Sequence, residues 1–210
     1  MSSTHTNLFA MFVKLQGKQV VVVGGGPVAE GKIEGLLAAG ARIRLIAPQI
    51  TPQIAEWVRF GKVDWLPKEF AAGDLDGARL AIAATSAPGV NAAVFAEAEA
   101  RNVFCNAVDD IENCHFYYGA IVQRGDLQIA VSTNGKSPAL AQRIRKELEE
   151  AYPREYAVWL DWLGAARELL RADNPSPDET KALLHQLATR DNFELFLRQS
   201  RSSGRRKGVA

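Results

Sequence analysis

Four consecutive valines, Val20 to Val23, run directly into Gly24-Gly25-Gly26 and leave through Pro27-Val28-Ala29 into a helical pattern. The β-branched run predicts a buried strand, the glycines a tight turn, and the residues after Pro27 a helix start. The spacing Gly24-x-Gly26-x-x-Ala29 is that of a dinucleotide-binding turn. In such a turn the first glycine permits the bend and the second lets the backbone approach a pyrophosphate. The third small residue brings the helix close to the strand. Unpaired N–H groups and the positive end of the helix dipole then face the phosphates. A purely structural strand-to-helix turn uses the same residues. The strand before the glycines and the amphipathic helix after them favour nucleotide binding, with Gly24, Gly25 and Gly26 as contacts.

Few other classes of function suit the composition. A chain of 210 residues holds one domain plus an appendage, or two small domains, and its formal net charge of +1 gives no global field for nucleic acid or a membrane surface. Cys105 and Cys114 make neither a disulfide framework nor a zinc spacing, and the three histidines form no pair with ligand spacing, so no metal site is expected. No apolar run approaches the ~20 residues of a membrane span. The polar start from Met1 to Asn7 has no signal-peptide core, so a cytoplasmic, soluble protein is expected.

Beyond the glycines, strands and helices alternate. Leu8 to Gln16 is an apolar lead-in in which Met11-Phe12-Val13 either adds a strand or packs beneath the sheet. Further strands are expected at Ala41–Ala47, Val63–Leu66, Leu80–Thr85 and Val103–Asn106, with helices over Thr51–Phe60 and Gly89–Arg101. This alternation predicts an α/β, Rossmann-like parallel sheet covered on both faces. In such sheets an acid near the end of the second strand usually holds the ribose hydroxyls. Here Ala47-Pro48-Gln49 stands in its place, which leaves that task to Gln49 or to backbone. Thr85 and Asn106 fall at carboxyl ends of strands, where ligands bind, although each also suits a turn. Asp109-Asp110 follows the last parallel strand. One reading is an ordinary turn. The other is a carboxylate at the cofactor rim that accepts a proton while a nicotinamide takes a hydride.

From Phe116 the pattern changes. Tyr118–Gln123 and Leu127–Ser132, joined through Arg124-Gly125-Asp126, predict a β-hairpin. Thr133-Asn134-Gly135-Lys136-Ser137-Pro138 then leads into a helix with Ser137 as N-cap. Asn134, Lys136, Ser137 and Arg143 together suggest an anion-binding site, against the alternative of a capped helix with a solvated basic face. A helix over Tyr152–Arg171 carries Trp159, Leu160, Trp162, Leu163 and Leu169 on its apolar side. One or two more helices follow over Asp178–Phe196, and Ser200–Ala210 reads as a frayed basic tail. Three regions are therefore expected. Residues 1–115 form a nucleotide-binding domain, 116–150 a hairpin and helix unit, and 151–210 a helical C-terminal region.

These blocks carry a resemblance. Val22 to Lys32, Ile82 to Thr85 with Val90-Asn91, Phe104 to Asp109, Ala120 to Leu127 and Ala130 to Ala141 resemble, in order, the precorrin-2 dehydrogenase/sirohydrochlorin ferrochelatase family of sirohaem synthesis. Such an ordered series is far more specific than one glycine fingerprint. The resemblance implies NAD⁺-dependent oxidation of precorrin-2 to sirohydrochlorin and, in some members, insertion of Fe²⁺. It also implies a homodimer with the hairpin unit at the subunit interface. The family's catalytic aspartate falls on Asp109, and its cofactor contacts fall on Pro27, Val28, Pro48 and Gln49 beside the glycines. Gly31 stands where arginine is common, Ser86-Ala87 where an acidic pair is common, and Thr133 where serine is frequent. No methylation is expected of this chain.

Three functions fit these observations: a dehydrogenase alone, a dehydrogenase that also inserts iron, and a non-catalytic NAD-sensing module. The last would need neither the Asp109 rim nor the loop from Asn134 to Ser137. A polycarboxylate tetrapyrrole needs donors over a broad surface, which Lys136, the Ser137 helix start and Arg143 would extend.

Overall fold

The computed structural model describes residues 7–173 and 176–206. The chain separates into two compact units between Tyr118 and Gly119.

The first unit is built on five parallel strands: β1 (Gln19–Val23), β2 (Arg42–Ile46), β3 (Val63–Leu66), β4 (Leu80–Ala83) and β5 (Phe104–Ala107). Their order in the sheet is β3-β2-β1-β4-β5. Helices α1 (Pro27–Ala38), α2 (Pro52–Arg59) and α3 (Pro88–Ala100) make the β1–β2, β2–β3 and β4–β5 crossovers. Because both faces are covered, the strands need no polar alternation, and Val20, Val21 and Val22 are fully buried in succession. Val20 and Val22 belong to one core layer with Ala29, Ile33 and Leu36 of α1. Val21 and Val23 belong to the other, with Val94 and Ala98 of α3. The expected Rossmann-like sheet is present.

The lead-in departs from expectation. Met11-Phe12-Val13 neither joins the sheet nor packs beneath it. Phe12 is 68% exposed, and Leu15 is the one buried residue between 7 and 16. The reason is topological: β1 follows at once, and both of its edges are taken by β2 and β4.

In the second unit β6 (Ala120–Arg124) and β7 (Leu127–Val131) form an antiparallel hairpin. Arg124 pairs with Leu127, which leaves Gly125-Asp126 as a two-residue turn with Gly125 at φ 59°. Helix α4 (Pro138–Ala151) follows, then α5 (Tyr156–Asp173), α6 (Pro177–Leu187) and α7 (Arg190–Arg206). The Arg124 guanidinium donates to the carbonyls of Tyr152 (2.7 Å) and Glu149 (3.2 Å), and so ties the hairpin to the end of α4. Tyr152 caps α4 rather than starting α5, because Pro153 breaks the helical ladder. Tyr156, Trp159 and Phe193 form the buried aromatic centre of this unit. On α5 the expected apolar side is only partly covered, since Trp162 and Leu169 remain exposed. Part of the expected tail is helical: α7 runs to Arg206, and 207–210 lie outside the described residues. Among the described residues no helix is long and apolar enough to cross a membrane.

Candidate active site

The strand order reverses between β1 and β4, and the loops leaving their carboxyl ends flank that switch point, the usual ligand crevice of open parallel sheets. Three consecutive glycines there have three different reasons to be glycine. Gly24 adopts φ 112°, and a Cβ on it would stand 2.3 Å from the Ala84 carbonyl oxygen. A Cβ on Gly25 would stand 2.1 Å from the Gln49 carbonyl oxygen. Gly26 has no atom within 4 Å of where its Cβ would lie. The turn is thus closed underneath by neighbouring loops and open above Gly26. Gly26 is also the N-cap of α1 and makes no side-chain cap, while Pro27 fills the first helical position. An open backbone face beside an uncapped helix N-terminus suits the pyrophosphate of a dinucleotide. Val28 is half exposed beside it, and Ala29 is fully buried against the sheet.

Pro48 and Gln49 lie exposed on the loop after β2. The loop is held from both sides. The Thr51 N–H donates to the Gly25 carbonyl (3.0 Å), and the Thr51 hydroxyl donates to Glu30 of α1 (2.6 Å) while capping Ile54 N–H of α2 (3.2 Å). Trp65 Nε1 donates to the Ala47 carbonyl at 2.9 Å. The structure therefore brings Gln49 and the glycine turn together through main chain.

Thr85 follows β4 and is organised by Asn91, a buried polar residue of α3. Asn91 Oδ1 accepts from the Thr85 N–H (3.2 Å) and lies 2.8 Å from the Thr85 hydroxyl, and Asn91 Nδ2 donates to the Thr85 carbonyl (3.2 Å). The loop that closes over Gly24 is thus held by one amide. Truncating Asn91 to alanine is expected to cost about 2 kcal/mol, because three part-buried groups of Thr85 lose partners together. Thermal unfolding should show a drop of roughly 5 °C; an unchanged midpoint would dismiss this role.

Asn106 is buried at the end of β5, and its Nδ2 donates to the Phe116 carbonyl (2.8 Å) and to Cys114 Sγ (3.2 Å). Its amide nitrogen therefore fastens the returning segment 113–116. His115 helps, accepting the Cys105 N–H at Nδ1 (2.9 Å), which leaves Nε2 to donate to Glu99. Burial pushes the Cys105 thiol up to about 12 and raises that of Cys114, so both are protonated at neutral pH and neither is a ready nucleophile.

Asp109, two residues past β5, sits in the left-handed region at φ 62° and is exposed. β5 lies two strands from β1, roughly 10 Å across the sheet at ordinary strand spacing. Sequence reasoning missed what stands near it. Lys32 of α1 places its ammonium 3.8 Å from the centre of the Tyr118 ring. Burial pushes the Lys32 pKa below its ordinary value, and the Asp109 charge opposes that shift. Burial also pushes the Tyr118 phenol up to about 12, so it stays protonated. No periodicity links Lys32, Asp109 and Tyr118; Lys32 and Asp109 lie in separate recognised motifs and Tyr118 in none.

The other candidate residues belong to the second unit. Ser137 Oγ caps α4 by accepting the Leu140 N–H (3.2 Å), and the Ser137 N–H donates to Thr133 Oγ1 (3.2 Å). Asn134 has φ 53°, and its N–H donates to Ser132 Oγ. Lys136 is exposed, while Arg143 pairs with Glu147 at 2.9 Å on a solvated helix face. The local order of this loop therefore comes from its own hydroxyls, with Lys136 exposed and Arg143 engaged by Glu147.

The fold and the open glycine turn define a nucleotide-binding domain, and comparison agrees. A family model for NAD(P)-binding matches residues 11–120, more than half of the chain, so the protein belongs to that NAD(P)-binding family. A second model, the sirohaem biosynthesis protein central segment, matches residues 124–151, from the end of β6 through β7 and α4. Siroheme synthase 3 of Aeromonas hydrophila is 37% identical over 183 residues, 87% of this chain and 39% of that protein. The siroheme synthase of Chromobacterium violaceum is 40% identical over 170 residues, 81% of this chain and 36% of its own. The chain thus spans well under half the length of these relatives. The solved structure of SirC, a precorrin-2 dehydrogenase, superposes with a TM-score of 0.76 at 28% identity, covering 91% of this chain and 98% of SirC.

Proposed function

We propose that this protein oxidises precorrin-2 to sirohydrochlorin with NAD⁺, in sirohaem biosynthesis. One observation carries the reading: an exposed carboxylate in a left-handed turn lies on the same carboxyl edge of the parallel sheet as an open, uncapped glycine turn. Gly24, Gly25, Gly26 and the α1 N-terminus would hold the pyrophosphate, and Pro27, Val28, Pro48, Gln49 and Thr85 would line the rest of the cofactor's path. Bound NAD⁺ supplies the hydride acceptor. Asp109 accepts the proton that precorrin-2 releases as the ring system loses two electrons. Its exposure lets it reach a substrate too large for an enclosed pocket. In this reading Asn134, Lys136, Ser137 and Arg143 offer donors to the substrate's carboxylates.

The proposal extends to a cytoplasmic homodimer. Two free thiols suit a reducing compartment. A two-stranded sheet is marginal by itself, and Ile121 on β6 and Leu140 on α4 are nearly half exposed, as a self-pairing surface would be. Sedimentation of the purified chain should give twice the monomer mass.

A spectrophotometric assay tests the chemistry. Precorrin-2 with NAD⁺ is expected to give NADH and sirohydrochlorin in equal amounts, and no conversion would overturn the proposal. Adding Fe²⁺ to the product then reads out iron insertion, with Fe²⁺ treated as a second substrate.

A further inference from the structure

We infer that Lys32 is a substrate-contacting residue that grips one carboxylate of the tetrapyrrole and presents the ring to Asp109. This inference rests on the dehydrogenase reading above.

Lys32 lies in the second turn of α1, on the same helix whose N-terminus opens beside Gly26. Its ammonium is seated over the Tyr118 ring at 3.8 Å, a cation–π contact that holds the charge without using its N–H donors on an acceptor. Tyr118 is itself steadied by an edge-on contact with Phe116 at 5.6 Å, and Asn106 fastens the Phe116 carbonyl. The seat is therefore built from the end of the sheet and from the segment that returns past it. The ion pairs among the described residues do not include Lys32, although the Asp109 charge reaches it. Asp109 likewise makes no hydrogen bond among them and is exposed.

The consequence is physical. A partly desolvated ammonium with free donors and an exposed carboxylate with free lone pairs are close enough to feel each other, yet they are not joined. A salt bridge between them would satisfy both and close the rim. Held apart, they leave one positive and one negative group facing a polycarboxylate ring system with acidic protons. Lys32 meets a carboxylate, and Asp109 meets a proton. The Tyr118 ring adds an apolar face against which a macrocycle can lie.

The competing anion is the cofactor's own phosphate, since Lys32 shares α1 with the glycine turn. The experiment separates the two. Sirohydrochlorin binding and NAD⁺ binding are each titrated against the wild-type chain and against Lys32→Met, Lys32→Arg and Tyr118→Leu, with circular dichroism as the check on folding. Lys32→Met is expected to weaken sirohydrochlorin binding roughly 10- to 100-fold, the usual effect of losing a charged hydrogen bond, and to raise KM for precorrin-2 far more than it lowers kcat. NAD⁺ affinity should stay within about two-fold, Lys32→Arg should recover part of the loss, and Tyr118→Leu should fall between wild type and Lys32→Met. A Lys32→Met chain that binds sirohydrochlorin as the wild type does overturns this inference alone. Weakened NAD⁺ binding overturns it too, by assigning Lys32 to the cofactor. A folded wild-type chain that binds NAD⁺ but no sirohydrochlorin overturns the dehydrogenase reading, and this inference with it.

Discussion

Asp109→Asn is expected to lower turnover of precorrin-2 by roughly 10²- to 10⁴-fold, the range spanned by a positioned general base, while leaving NAD⁺ affinity and folding close to wild type. Asparagine is the informative replacement. Asp109 holds φ 62°, a conformation that asparagine tolerates as well as aspartate does and alanine does not. An alanine variant would confound loss of the carboxylate with backbone strain. Asp109→Asn removes proton acceptance alone. The check is kcat against the dissociation constant for NAD⁺, measured on the same preparation. Full turnover in Asp109→Asn would remove this residue from the mechanism.

The second large effect concerns the turn. Gly24→Ala should unfold the cofactor site outright, because its Cβ would stand 2.3 Å from the Ala84 carbonyl oxygen and the residue would have to hold φ 112°. A clash with backbone at a disallowed conformation is expected to cost about 3 kcal/mol or more, with NAD⁺ binding lost. Gly26→Ala is the control. Its Cβ enters open space at an ordinary extended conformation, φ −85°, so the fold should keep its melting temperature. NAD⁺ affinity should nonetheless fall, because the methyl group occupies the approach to the pyrophosphate. Equal melting temperatures for the two variants would refute the division of labour among these glycines.

Much of the first unit is legible from the chain. Val20 to Val23 followed by three glycines leaves few choices, and apolar runs such as Leu80–Ala83 are too short for helices and too uniformly buried for a one-sided sheet. Ser137-Pro138 marks the start of α4 to the residue. Boundaries fail where a proline intervenes between helices, as at Pro153. The lead-in departs from expectation because apolar content says nothing about whether a strand edge is free; Phe9 is 87% exposed. The candidate site is half legible. Asp109 and the glycines announce themselves by residue type and spacing. Lys32, Tyr118 and Asn91 do not, since their roles arise from contacts that the fold makes between distant stretches. Asn91 buries its amide to hold Thr85, which no helical periodicity predicts.

The contact beneath Gly25 has a consequence for how such a cofactor site can diverge. What crowds Gly25 is the carbonyl of residue 49, whereas the Gln49 side chain is exposed. Carbonyls come with every amino acid, so the path of that loop does not depend on which side chain residue 49 bears. Natural drift or deliberate redesign can therefore alter the chemistry presented beside the dinucleotide at residue 49 while residue 25 stays fixed, which separates the tuning of cofactor preference from the integrity of the scaffold.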